Sequence, residues 1–168
     1  TLENVTFSYI RTGVEVYGRN VNFRGCVFFH CRYGAIVDNT NIDAMRGIHF
    51  DDCRFHGIGE DMVGGVELLT TENSAGILLR ADRQAQSIQE ADVTVYNCIS
   101  DQSGTFIKGR AHQLQVVGCF IAHFEKPAIV IEGANGQVYP TSGGSTHPGN
   151  NFIVGLSGTD GIGQLHQN

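Results

Sequence analysis

The densest group of side chains able to move protons is Asp51, Asp52, Glu60 and Asp61, with His49 and His56 set among them. Glycoside hydrolysis needs two carboxyl groups, roughly 5 Å apart for retention or about 6.5 to 9.5 Å apart when a water must fit between them. On that chemistry one of Asp51 or Asp52 serves as acid and Glu60 or Asp61 as base. The plainer reading makes Asp52 a turn residue and Glu60 with Asp61 a solvated loop. A lyase would instead pair a base with a cation that stabilises the anion formed beside a carboxylate. Lys108, Arg110 and Lys126, with Arg80 and Arg83, are the available cations, dispersed in sequence, and stacked chain segments would bring Lys108 and Arg110 to neighbouring rung edges. The seven histidines show no metal-ligand spacing and the cysteines no CxxC pair. Neither a metal nor a cofactor is therefore expected.

What positions these residues is a repeat. An apolar-x-apolar-x-x-Cys-x-apolar template is filled by Val21, Phe23, Cys26 and Phe28, and again by Ile48, Phe50, Cys53 and Phe55. Val93, Val95 and Cys98 follow, then Leu114, Val116, Cys119 and Ile121. Val5, Phe7 and Ile10 make a weaker first copy, and the run from Asn151 a degenerate last one. Alternation with a period of two places successive side chains on opposite faces of a strand, so each copy reads strand, bend, strand. A further apolar segment follows each copy, opening at Gly13, Gly34, Gly65, Gly104 and Pro127. The cysteine intervals are 119 − 98 = 21 and 53 − 26 = 27, whereas 98 − 53 = 45 implies a rung that has lost its Cys or been enlarged. Strands recurring at twenty-odd residues without a helical unit predict a β-solenoid.

The template also predicts what faces outward: Asn22 and Arg24, His49 and Asp51, Thr94 and Tyr96, Gln115 and Val117. Stacked in register, Arg24 should lie beside Asp51 and His49 beside Asn22. That face is either a solvated surface with a weak cross-strand ion pair or a sugar-binding strip on which Tyr96 is the stacking platform. Irregular insertions near residues 59–92 and 134–151 are candidate walls of a groove, because insertions in repeat proteins gather on one face. A short helical turn is conceivable from Ala81. Val27, Ile99 and Phe120, each one residue past its cysteine, would form an outward apolar strip suited to a homotrimer.

The chain has 168 residues with 22 Gly, 3 Pro and no Trp, consistent with one turn-rich domain. Its formal net charge is −6 without a basic cluster, which excludes nucleic-acid binding as the leading class. No apolar run approaches the ~20 residues that span a membrane. Four of the five cysteines share one template position, so they should stack inside the coil as reduced, buried thiols, which suits assembly in a reducing cytoplasm. The chain opens directly on a strand-like copy without Met, and a capped solenoid would need more, so a longer parent chain is expected.

Three short sheets per turn, Phe-x-x-Cys-x-Phe bends such as Phe23 to Phe28, and Gly-apolar strands closing each turn resemble the right-handed parallel β-helix of the pectate-lyase-like superfamily. The resemblance implies an all-β, single-stranded right-handed parallel β-helix of about six to seven turns over residues 1–168. It also implies binding, and in some members cleavage, of polysaccharide, as in the trimeric tail spikes of bacterial viruses, and hence a virion-tail or extracellular location. Of the polygalacturonase-like motifs only the adjacent Asp pair is matched, by Asp51 and Asp52; the Gly-His-Gly and Arg-x-Lys signatures are not present at His56 or Lys108. The resemblance carries over onto Asp51 and Asp52 alone; with the acidic grouping, the catalytic candidates are Asp51, Asp52, Glu60 and Asp61, and the candidate substrate contacts are Arg24, His49, Tyr96, Lys108 and Arg110. The alternative it leaves open is a non-catalytic structural or adhesion shaft.

Overall fold

The computed structural model describes residues 1–38, 47–63, 66–69, 74–80, 91–109, 111–124, 128–131, 146–149 and 152–155. The period-two segments form parallel strands in three sheets. Sheet A stacks β1 (Leu2–Glu3), β4 (Val21–Arg24), β7 (Ile48–Asp51), β12 (Ala91–Tyr96), β15 (Ala111–Val117) and β18 (Thr146–Gly149). Sheet B stacks β2 (Thr6–Ser8), β5 (Val27–Phe29), β8 (Arg54–His56), β13 (Ile99–Asp101), β16 (Phe120–Phe124) and β19 (Phe152–Gly155). Sheet C stacks β3 (Thr12–Val16), β6 (Tyr33–Asp38), β11 (Ala75–Arg80), β14 (Ile107–Gly109) and β17 (Ile129–Ile131). The chain visits A, B and C and returns to A one strand further on. Among the described residues this makes five complete turns and two strands of a sixth, with no helix. The architecture is an all-β parallel solenoid, compatible with a parallel β-helix.

The inward columns hold it together. Phe7, Phe28 and Phe55 stack ring on ring at 5.1 and 4.7 Å, and Phe23 stacks on Phe50 at 4.8 Å. Offset stacks of this kind add about 0.5–1.5 kcal/mol per pair beyond area burial. Register continues the first column into Ser100, where a large ring is missing; Phe106, entering from the loop before β14, packs its ring 5.3 Å from Phe55 instead. The glycines that open the sheet C strands have a steric cause. A Cβ on Gly13 would sit 2.8 Å from Phe28 Cδ1, and one on Gly34 2.8 Å from Phe55 Cδ1. Phe28 and Phe55 of sheet B therefore each require a bare backbone in the sheet C strand of the rung before them.

All five cysteines are free and buried. Cys53 Sγ lies 3.6 Å from the Phe23 carbonyl oxygen and Cys98 Sγ 3.7 Å from that of Phe50, so each thiol faces the rung before it. Burial pushes the Cys26 and Cys31 thiols up from their ordinary pKa. Hydrogen bonding with Cys119 and Cys53, added to burial, pushes Cys98 further in the same direction.

The corner from sheet A to sheet B is equally regular. Asn4, Gly25, Asp52, Asn97 and Gly118 each precede the position of the cysteine column, and all have positive φ, between 51° and 68°. Only Gly, Asn and Asp enter that left-handed region readily. Four of these N–H groups are spent on the next rung: Asn4 on the Arg24 carbonyl at 2.9 Å, Gly25 on Asp51 at 3.0 Å, Asp52 on Tyr96 at 3.1 Å and Asn97 on Val117 at 3.0 Å.

Three expectations are revised. The long interval between Cys53 and Cys98 is one enlarged turn: β9 (Glu60–Val63) and β10 (Val66–Leu69) form an antiparallel hairpin, and the segment after it supplies the sheet C strand β11. The apolar run opening at Gly65 is therefore hairpin rather than coil wall, because its register partner is β9. Within the supposed loop of residues 134–151, residues 146–149 pair with β15 on sheet A. Ile10 of the weak first copy is 41% exposed, because it falls in the B-to-C corner rather than on a strand. The proposed helical turn from Ala81 lies outside the described residues up to residue 90.

Candidate functional site

Alternation on sheet A turns two residue columns outward. Register aligns Glu3, Arg24, Asp51, Tyr96 and Val117 in one, and Asn22, His49, Thr94 and Gln115 in the other. The expected neighbours Arg24 with Asp51 and Asn22 with His49 are direct register partners. Their inward neighbours Phe23, Ile48, Phe50 and Val95 are buried, so every backbone beneath the strip is fixed by packing. Arg24 and His49 are exposed, and Tyr96 presents 40% of its surface. Glu3, Asn22, Arg24, His49, Asp51 and Tyr96 border a shallow depression of about 520 Å³. A second depression of about 360 Å³ over the A-to-B corner shares Glu3 and Arg24 with it and adds Asp52. The strip thus offers carboxylate, guanidinium, imidazole and amide groups around one exposed ring.

The other expected site residues are spread over the molecule. Asp52 is the left-handed corner residue of its rung, with φ 52°, and its side chain is exposed. Glu60 and Asp61 begin the hairpin strand β9, beyond the B-to-C corner, and pair with Leu69 and Leu68. They are separated from Asp51 by both corners and by the three residues of β8, a span of about 10 Å for the strand alone. The four residues therefore do not belong to one sheet. Lys108 belongs to sheet C, between Leu78 and Val130, away from the strip. Arg110 lies outside the described residues. Arg80 is held by Asp38, its Nη1 2.8 Å from Oδ2. Among the described residues no three His, Cys, Asp or Glu side chains are arranged to hold a metal ion.

The outward apolar strip is interrupted. Register inserts the exposed Arg54 between Val27 and Ile99, leaving Ile99 and Phe120 as direct neighbours. Sequence reasoning missed a cluster on the next column of sheet B. Phe29 lies flat on His56 at 5.3 Å, and His56 Nδ1 lies 3.6 Å from Asp101 Oδ2. At the adjoining corner Tyr9 lies flat on His30 at 5.2 Å, edge-on to Phe29. The offset of three residues past each cysteine, which gives Phe29, His56 and Asp101, was the available signal. It also missed Glu3, two residues before Val5 of the weak first copy, where stronger copies carry Arg24, Asp51 and Tyr96.

The chain matches no family model, no curated protein and no solved structure. Among the described residues no helix is long and apolar enough to cross a membrane.

Proposed function

We propose that this chain is a carbohydrate-recognising segment of a right-handed, pectate-lyase-like parallel β-helix, of the kind found in tail spikes of bacterial viruses, and that polysaccharide lies along the outer face of sheet A. The observation that carries this reading is the exposed Tyr96 ring in register with Asp51 and Arg24, beside His49, over a depression. A sugar ring has an apolar face for an aromatic platform and hydroxyls for flanking polar groups. A strip repeating at the rung spacing of about 4.8 Å suits a polymer better than a small molecule. The handedness rests on the general right-handedness of parallel crossovers. Free buried thiols in four of the copies suit assembly in a reducing cytoplasm before the protein reaches a virion tail or the extracellular space.

Recognition is better supported than cleavage. Asp51 is the acidic candidate on the strip, with Asp52 at its corner, while Glu60 and Asp61 lie beyond β8. The second reading, a structural or adhesion shaft packed as a homotrimer, is favoured by the adjacent Ile99 and Phe120 on sheet B. A screen of bacterial capsules and O-antigens, scored for retention and for new reducing ends, tests both. Retention that Tyr96→Ala weakens supports recognition. Reducing ends produced equally by the parent and by Asp51→Ala, Asp52→Ala, Glu60→Ala and Asp61→Ala would remove the acidic site. No retention and no cleavage, with a trimeric mass in solution, favours the shaft.

A further inference from the structure

Resting on the carbohydrate reading, we infer that the sheet A strip selects uncharged polysaccharide and rejects polyanionic chains. Glu3 and Asp51 are the two register neighbours of Arg24, one on each adjacent rung. Asp52, at the corner, borders the depression that Glu3 and Arg24 also line. Among the side chains that border the two depressions, one guanidinium, that of Arg24, stands with three carboxylates, those of Glu3, Asp51 and Asp52. Among the described residues, Lys108 is on sheet C, Arg80 is engaged by Asp38, and Arg54 projects from sheet B. The chain as a whole carries a formal charge of −6, so the long-range field repels anions as well.

A uronate, sialate or phosphate group laid on the strip would come within a rung spacing of a carboxylate, on a surface where three carboxylates outnumber the one guanidinium. Like-charge juxtaposition of that kind is a common way for a surface to reject a wrong partner. An uncharged sugar meets the same groups as hydrogen-bond acceptors, and Arg24, Asn22 and His49 as further polar partners. The concavity and the Tyr96 ring make the surface a site; the sign of its charge sets the class of chain it takes.

A glycan microarray printed with glucans, mannans, galactans and N-acetylhexosamine polymers beside polygalacturonate, alginate and polysialate tests this at low salt. The expected result is retention on uncharged chains only, weakened about tenfold by Tyr96→Ala, the equivalent of about 1.4 kcal/mol. The triple variant Glu3→Gln, Asp51→Asn, Asp52→Asn should gain retention on the polyanions; Asn tolerates the left-handed corner at position 52, so the fold is kept. Retention of polyanions by the parent protein, weakened by Tyr96→Ala, overturns the inference while leaving the carbohydrate reading intact. A triple variant that still rejects polyanions also overturns it. No retention of any glycan removes the carbohydrate reading, and the inference with it.

Discussion

The inner and outer faces of the same strands obey different rules. Inward, one column repeats Phe7, Phe28 and Phe55 and another repeats Cys26, Cys53, Cys98 and Cys119, because each side chain must fit the one a rung away. Outward, the column Glu3, Arg24, Asp51, Tyr96, Val117 changes chemical class at nearly every rung, although its backbone is held in the same register. Packing fixes the first set, and only solvent or a ligand acts on the second. Constancy therefore marks the scaffold here, and variety on a rigid frame marks the surface where selectivity can be built.

The contrast breaks most visibly at β8. Phe55→Ala should cost about 3–5 kcal/mol in denaturant unfolding, since it removes the ring against which Phe28, Phe50 and Phe106 all pack. Arg54→Ala, one residue away on the outer face, should stay within about 0.5 kcal/mol of the parent. Comparable losses at both positions would mean that the two faces are not distinct.

Gly34→Ala tests the steric coupling between sheets B and C. The added Cβ would meet the Gly76 carbonyl oxygen at 2.6 Å and Phe55 Cδ1 at 2.8 Å. A loss of about 1–3 kcal/mol is expected from overpacking. An unchanged unfolding midpoint would show that the glycine column is not needed for the aromatic one.

A smaller effect separates the thiol column from the surface. Cys26, Cys31 and Cys98 are held protonated beyond their ordinary range in the folded chain, so the unfolded chain gives up these protons first as pH rises. The stability they contribute is complete below about pH 8.5 and is lost as pH rises above it, offset in part by Cys53 and Cys119, whose hydrogen bonds with Cys98 hold their thiols below the ordinary range. Denaturant titrations between pH 7 and 10 should show that decline, shallower in Cys98→Ala. A flat profile would place the thiols in contact with solvent.

Much of the scaffold was legible because its physics is local and periodic. Val21, Phe23, Cys26 and Phe28 announce inward positions by spacing alone, and the strand-bend-strand copies are the observed sheets A and B. The hairpin at residues 60–69 was not legible, because the run Val66–Leu69 has the same apolar character as a coil strand and only its antiparallel partner distinguishes it. The Tyr9, Phe29, His30 and His56 cluster escaped for another reason: its members come from a strand and a corner on successive rungs, which no single template position collects. On sheet A the alignment of Arg24, Asp51 and His49 followed from the repeat, whereas Glu3 was hidden by the weakness of the first copy. The separation of Glu60 and Asp61 from Asp51 depends on how the chain turns two corners, which sequence proximity misrepresents.

The most direct test of the division between faces uses neighbours in β12, Val95 inward and Tyr96 outward. Unfolding stability and glycan retention are measured together for Val95→Ala and Tyr96→Ala. Val95→Ala should lose about 2 kcal/mol of stability and keep its glycan retention at temperatures where it remains folded. Tyr96→Ala should keep its stability within about 0.5 kcal/mol and lose retention. A Tyr96→Ala protein that retains glycan as well as the parent, or that unfolds as readily as Val95→Ala, would contradict a recognition surface carried on an independent scaffold.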